Sequence, residues 1–577
     1  MKRLLFTFSI LLLCAPFAVA QKVEVQEVTL DNGLRLLMVP RKGDPNIAAG
    51  WIARVGSINE RPGITGLSHL FEHMMFKGTH AIGTRNIQEN LKIIAELDRV
   101  KAEVDKEQRL LIHRQQLGEI DDANDPKNRS PRHQELLKQL SDLTDRERAV
   151  MVKDEFDRIY TTAGGAGMNA STSNDWTVYF INVPANKIEL WFWMESDRLL
   201  NPVFREFYSE RDVVREERRL RTESTPTGKF DEQFESLFWQ SSPYGWPVVG
   251  WPSDLASITR EEALAYFAQN YAPNNLTAVL VGDFDPANAT ALAKKYFGRL
   301  KPSPKPLEPV RTLEMPQLAE QRLTAYAETS PQVRARYHTV PDGHKDEYAL
   351  SVMSALLNGR TGRLYKSLVL QQGIATAAAG FQNGQKLEGY FQLQGTAKPG
   401  NTPEEVEQAL YKEIEKLQNE AVPERELQKI KNQLAANNFR QLQSNFGLMV
   451  QLLLRESSRT WQSINTDPPL LQAVTAADIQ RVAKKYFAKE NRNVAIYYTK
   501  KSDTPEDPEL AALGEQERAQ IQRLKSMLPQ LKVEQVKQIL SSIQQQEASA
   551  PPEQKAAFKY AKKLLEERLK QLEGGKQ

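Results

Sequence analysis

Ile258-Thr259-Arg260-Glu261-Glu262, running on to Tyr271 and then to the apolar stretch from Asn275 to Val281, returns in a second form as Val474-Thr475-Ala476-Ala477-Asp478, Phe487 and Asn491 to Tyr497. Thr259 and Thr475 stand 216 residues apart (475 − 259), as do Tyr271 and Phe487 (487 − 271). In both copies a threonine cap predicts a helix that ends at an aromatic residue and leads through an asparagine turn into an apolar strand. A unit repeated at this spacing implies an internal duplication and two similar domains of about 220 residues each. The fold class is α+β, each domain a mainly antiparallel sheet packed by helices. The expected division is 21–255 for the first domain and 256–500 for the second, with the proline-rich run Lys301-Pro302-Ser303-Pro304-Lys305-Pro306 as a linker. The remainder, 501–577, reads as a tail of amphipathic helices broken at Pro551-Pro552.

Outward from the repeat, the first domain opens with alternating apolar and polar residues from Val23 to Val55 around the turn Asp31-Asn32-Gly33, the pattern of a β-hairpin entering a sheet. A helix is expected from about Gly66 to Lys77. From about Asn86 to Arg158 the chain is highly charged and heptad-like, with interruptions at Asp121 to Pro126 and at Ser130-Pro131. This predicts an antiparallel helical hairpin projecting from the domain, its charges a solvated face. A glycine-rich turn (Gly164, Gly165, Gly167), a strand from Asn169 to Asn182 and two long helices over about Asn186 to Glu223 follow.

The 577 residues include 40% apolar and 26% charged residues, the composition of a chain with a large core. With 76 Lys and Arg against 73 Asp and Glu, a formal charge of +3 gives no case for a nucleic-acid partner. The one cysteine, Cys14, lies in an N-terminal segment built as an export signal: basic Lys2-Arg3, an apolar run from Leu4 to Phe17, and the small-x-small site Ala18-Val19-Ala20. Cleavage would leave Gln21 as the first residue and a thiol-free chain exported to the periplasm or beyond, as in a bacterium. A lipid anchor on Cys14 is disfavoured by the leucines that precede it. The apolar run is too short to span a bilayer.

Chemistry concentrates in Gly66-Leu67-Ser68-His69-Leu70-Phe71-Glu72-His73-Met74. On a helix, His69 and His73 are four residues apart and project from one face, where both imidazoles can hold one metal ion, while Glu72 lies on a neighbouring flank. The spacing is H-x-x-E-H, the reverse of H-E-x-x-H. Two imidazoles without a thiolate favour zinc. Catalytic zinc needs a third protein ligand, and the helix around Ser209 to Arg218 offers carboxylates in two seven-residue pairs, Glu210 with Glu217 and Glu216 with Glu223. Spacing alone does not separate the pairs, and each glutamate could equally form ion pairs with nearby arginines.

Together these stretches resemble the insulinase/pitrilysin zinc metallopeptidases, the inverzincins, whose relatives include the mitochondrial processing peptidases; the chain resembles the short two-domain bacterial type. The resemblance extends through Asp31-Asn32-Gly33-Leu34, Gly56-Ser57, Gly63, Phe76-Lys77-Gly78-Thr79, Asn169-Ala170-Ser171-Thr172 with Thr177 and Tyr179, Glu210-Arg211-Asp212-Val213-Val214 with Glu217, and Ser242-Pro243-Tyr244-Gly245. It implies His69, His73 and Glu217 as ligands of one Zn2+, Glu72 as the general base, Glu210 as the carboxylate that orients the site, and the strand at Asn169 and Ala170 as an edge to which a peptide or unfolded polypeptide substrate adds. The activity implied is that of a metalloendopeptidase; the competing reading is a non-catalytic structural subunit of a peptidase-like complex.

Three departures from the family pattern stand out. The charged insertion lengthens the gap between His73 and Glu217. The second domain lacks H-x-x-E-H, since Tyr348 to Gly359 holds no histidine. Where family members close the site with an arginine and a tyrosine, the stretch near Gly389-Tyr390-Phe391-Gln392 has no matching arginine, and Ala397 stands in the tyrosine's place. Two domains are half of the enclosed chamber of longer members, so the resemblance implies a homodimer or a heterodimer with a zinc-less family subunit.

Overall fold

The structure is a computed structural model and describes residues 22–303, 305–500, 507–528, 531 and 533–574. The expected export signal and Cys14 lie outside the described residues. The described residues from Lys22 to Thr499 form one compact unit and those from Lys500 a second.

The first sheet is built from β1 (Gln26–Thr29), β2 (Arg35–Pro40), β3 (Asn46–Ala53), β4 (Ala166–Thr172), β5 (Thr177–Pro184) and β6 (Leu276–Gly282), in the order β1-β2-β6-β3-β5-β4. The second contains β7 (Gln321–Ala327), β8 (Gln332–Thr339), β9 (Ala375–Gly384), β10 (Gly389–Ala397) and β11 (Arg492–Thr499), in the order β7-β11-β8-β10-β9. Each sheet has one parallel pair, β2 with β6 and β7 with β11, and is otherwise antiparallel. Removing β1 makes the two topologies the same, which is the duplication in three dimensions.

Helices of the first half are α1 (Leu67–Met74), α2 (Ile87–Gln116), α3 (Pro131–Val150), α4 (Glu155–Thr162), α5 (Ile188–Leu200), α6 (Phe207–Arg218), α7 (Gly228–Phe238), α8 (Pro252–Ser257), α9 (Arg260–Asn270) and α10 (Pro286–Tyr296). The second half has α11 (Glu347–Leu357), α12 (Pro403–Asn419), α13 (Glu424–Gln443), α14 (Asn445–Ser458), α15 (Ser463–Ala473) and α16 (Ala476–Tyr486). The quoted repeats are α9-β6 and α16-β11. Thr259 with Glu262 and Thr475 with Asp478 close the same capping box. Asn275 and Asn491 each donate from Nδ2 at 2.8 Å to a carbonyl five residues back, that of Asn270 and of Tyr486.

The sheets divide the chain at the linker after Leu300 and not at 255/256. Strand β6 is inserted between β2 and β3, so α9, β6 and α10 complete the first sheet and its core. The stretch 169–182, expected as one strand, is the hairpin β4-β5; Ser173-Asn174-Asp175-Trp176 turns the chain, with Ser173 N–H donating to the Trp176 carbonyl at 2.8 Å. The charged insertion is the expected antiparallel hairpin, α2 against α3. Ser130-Pro131 is the start of α3: the Ser130 hydroxyl accepts from His133 N–H, and Pro131 takes the first helical position.

The halves exchange one helix each. The 216-residue offset carries α7 onto α14. Helix α14 covers the first sheet, with Leu448, Met449, Leu452 and Leu453 against Leu37, Ile52, Val178 and Val279. Reciprocally, Phe234 of α7 packs on Ala325, Ala495 and Tyr497 of the second sheet. Each exchanged helix also brings carboxylates to arginines of the sheet it covers: buried Glu456 pairs with Arg35 and Arg54, and Asp231 and Glu235 pair with Arg334 and Arg336. Leu452 is fully buried, so Leu452→Ala is expected to cost about 2–5 kcal/mol. The check is the urea midpoint, with both lobes losing structure in one transition because each contains a helix of the other.

The tail unit holds α17 (Pro508–Ala511), α18 (Glu515–Met527), α19 (Val533–Ser549) and α20 (Pro552–Gly574), with its own cluster of Leu510, Leu513, Ile521, Ala557, Tyr560 and Ala561. Among the described residues no helix is long and apolar enough to cross a membrane.

Candidate metal centre

Helix α1 is pinned before it presents any ligand. Gly66 precedes it with φ +88°, and its ideal Cβ would lie 2.5 Å from the Val249 carbonyl, so only glycine fits. The buried Glu60 carboxylate accepts the N–H groups of Gly66 and Ser68 at 2.7 and 2.6 Å, filling amides that a helix start leaves open. Burial pushes the Glu60 carboxyl up to about 8 despite these bonds. Ser68 Oγ meets Tyr266 OH at 2.7 Å, and Tyr179 OH donates to the Phe71 carbonyl at 3.2 Å.

From this fixed helix, His69 and His73 turn the same way, their ring centroids 5.0 Å apart. Glu217 on α6 completes the group: His69 Nε2 to Glu217 Oε1 is 3.6 Å and His73 Nε2 to Glu217 Oε2 is 3.3 Å. One ligand atom from each of the three lies within 4.8 Å of the others, and the described residues hold no other such cluster of three or more His, Cys, Asp or Glu. Ligands 2.0–2.2 Å from a tetrahedral zinc stand about 3.3–3.5 Å apart, close to the distances from the two imidazoles to the two Glu217 oxygens, and two imidazoles with a carboxylate are donors that suit that ion.

The electrostatics suit a cation. Burial, with the neighbouring charges of His73 and Arg221, holds His69 down at about 3, which leaves a neutral imidazole. Burial also depresses His73, but the hydrogen bond it donates to Glu210 and the charges of Glu210, Glu217 and Glu72 outweigh it, and the net shift is upward. Glu210 Oε1 is 3.0 Å from His73 Nδ1, the bond that fixes which nitrogen faces the centre. Lys77 Nζ reaches Glu210 Oε2 at 2.5 Å; these bonds overcome burial and keep the Glu210 carboxyl below its usual range. Arg221 Nη1 approaches Glu217 Oε1 at 2.5 Å from the solvent side. His69 Nδ1 is buried and has no hydrogen-bond partner among the described residues.

Packing thus separates the two glutamate pairs. Glu210 and Glu217 face α1, whereas Glu216 is held by Arg219 on the surface and Glu223 lies 3.5 Å from Arg218. Glu72 is half-buried, and its carboxylate makes no hydrogen bond or ion pair among the described residues. Asn169 and Ala170 lie on β4, the edge strand beside α1. Asn169 is exposed and its Oδ1 accepts from Ala170 N–H at 2.9 Å.

Sequence reasoning assigned no role to Glu60 or Lys77, which brace α1 and Glu210. Their positions, six residues before Gly66 and four after His73, carry no signal of their own in the sequence. In the second lobe the 216-residue offset carries Glu210 and Glu217 onto Glu426 and Gln433. Glu426 there binds Arg363 through two bonds of 3.1 and 2.7 Å, and α11 offers no histidine. Tyr390 of β10 meets Phe238 and Trp239 edge-on, and the Arg336 guanidinium lies over its ring.

Two lobes of one topology, one with an H-x-x-E-H helix and one without, define a two-domain protein of the inverted zinc-peptidase class. The sequence matches the family description "Insulinase (Peptidase family M16)" at residues 38–113 and "Peptidase M16 inactive domain" at residues 257–434. It is 26% identical over 509 residues to "Zinc protease PqqE" of Helicobacter pylori, covering 86% of this chain and 98% of that one. Among solved structures, a protease from Helicobacter pylori aligns with TM-score 0.67 and 23% identity over 82% of this chain and 100% of that chain. The periplasmic protease PqqL from Escherichia coli aligns with TM-score 0.60 and 16% identity over 83% of this chain and 48% of its own. The two family matches, this relative and these structures together support an insulinase-family two-domain bacterial peptidase. The zinc-protease names of its relatives support a peptidase-like function.

Proposed function

We propose that this chain is an exported zinc metalloendopeptidase that hydrolyses peptides or unfolded polypeptides. The observation that carries the reading is the convergence of His69, His73 and Glu217 from two helices, one ligand atom of each lying within 4.8 Å of the others. Zinc held by these three side chains supplies Lewis-acid chemistry, lowering the pKa of a water and polarising the scissile carbonyl. Glu72 is the general base: its free carboxylate takes the proton of the attacking water and returns it to the leaving amine. Glu210 orients His73, and Lys77 holds Glu210 ionised.

An extended substrate adds to the open edge of β4 at Asn169 and Ala170 by backbone pairing, which demands little of its sequence. The signal-like N-terminus and the periplasmic location of the PqqL neighbour support an exported, periplasmic setting. With only two of the four domains that enclose the chamber in longer family members, the chain works as a dimer, with itself or with a zinc-less family subunit.

The test is hydrolysis of casein by the purified chain, with and without a chelator. Cleavage that the chelator abolishes and added zinc restores is the expected result. A zinc-loaded chain that cleaves nothing, alone or with a zinc-less family partner added, would overturn the reading.

A further inference from the structure

The charged insertion is bonded at its base to the helix that brings the third ligand. Asn90 of α2 accepts from Arg205 Nε at 2.6 Å, and the rest of that buried guanidinium donates to the Lys77, Thr79 and Ile82 carbonyls, in the loop that leaves α1. The next residue, Glu206, has φ +53°, a conformation that L side chains rarely adopt. Glu147 of α3, itself 1% exposed, accepts the Glu206 N–H at 3.2 Å, while Arg148 and Lys77 each approach the Glu206 carboxylate at 3.4 Å. Two residues later, Tyr208 OH donates to Asp98 of α2 at 2.8 Å. Every one of these contacts falls on Arg205 to Tyr208, where α6 begins.

We infer that the base of the α2-α3 hairpin is a positioning device for the metal site, with Glu147 and Asn90 setting the start of α6 and hence where Glu210 and Glu217 meet the histidines. This rests on the zinc-peptidase reading. The physical reason is helical phase. Each residue advances α6 by about 100° and 1.5 Å, so a slip of one residue at Glu206 would swing Glu217 off the face that meets His69 and His73. A left-handed residue at a helix start is a weak stop unless its surroundings fix it, and here a buried carboxylate, an arginine and Lys77 do so. Lys77 binds both Glu206 and Glu210, so the clamp and the orienting carboxylate share one cation. The hairpin's charged outer length is free of this duty.

The experiment uses the full chain and two readouts: zinc affinity by competition with a chromophoric chelator, and amide hydrogen exchange across 206–217 in the metal-free protein. Glu147→Leu is expected to weaken zinc binding about 10–100-fold and to speed exchange in that segment about ten-fold or more. Glu147→Gln keeps the Oε1 acceptor and is expected to stay within about three-fold of wild type on both. Asn90→Ala, expected to move both readouts the same way, serves if Glu147→Leu does not fold. Replacing 112–128 by a short glycine-serine turn should change neither readout. The inference is overturned if Glu147→Leu and Asn90→Ala behave as wild type, or if trimming the tip has the effect assigned to the base. A wild-type chain without zinc affinity would sink the peptidase reading instead, and the exchange of metal-free variants would still decide the positioning role.

Discussion

Glu72→Gln is expected to lower kcat/KM on an unstructured protein substrate by about 10²–10⁴-fold, the usual contribution of a positioned general base, while zinc content and thermal midpoint stay at wild-type values. The separation follows from how little else Glu72 does. Its carboxylate bonds to nothing among the described residues, so the amide breaks no structural contact. It contributes no atom to the His69, His73 and Glu217 cluster, so the metal should be retained. What glutamine removes is the capacity to accept a proton. Steady-state kinetics beside metal analysis of the same preparations checks this; equal activity in the two proteins would assign the base elsewhere.

The parts of this molecule legible in the sequence are those governed by local rules. H-x-x-E-H fixes two imidazoles on one helical face because four residues make about one turn, and the threonine caps of α9 and α16 announce the repeat because a cap is satisfied within three residues. What periodicity leaves open is decided by packing between distant segments. Glu210 and Glu217 share their spacing with Glu216 and Glu223, and only the docking of α6 on α1 turns the first pair inward. The place of β6 inside the first sheet and the exchange of α7 and α14 are likewise settled by which apolar faces find one another, over separations that local patterning does not encode. Glu60 shows the intermediate case: a glutamate six residues before a glycine-started helix is ordinary in a sequence, and its role appears only when burial leaves the helix amides no water to bind.

Glu217→Ala should weaken zinc binding by more than the roughly 10–100-fold that follows loss of an outer hydrogen-bonding partner, because it leaves two imidazoles where catalytic zinc takes three protein ligands. Peptidase activity should fall with metal occupancy, and excess zinc should restore only part of it. Glu210→Gln provides the internal comparison. It keeps an oxygen that can accept from His73 Nδ1 but loses the negative charge that Lys77 neutralises, so its affinity should fall between those of wild type and Glu217→Ala. The graded order separates a metal centre from a cluster of mutual ion pairs. If the three acidic and basic side chains were held only by each other, both substitutions would lower the thermal midpoint of the metal-free chain and leave zinc binding equally weak. If they form a site, Glu217→Ala should affect the metal-loaded protein far more than the metal-free one. Removing the Glu217 carboxylate takes a ligand from the metal when zinc is present, yet costs the metal-free chain only the ion pair with Arg221 and contacts to histidines, of which His69 is already neutral. Calorimetric affinity and thermal midpoints with and without zinc, measured for the three proteins, give that order directly.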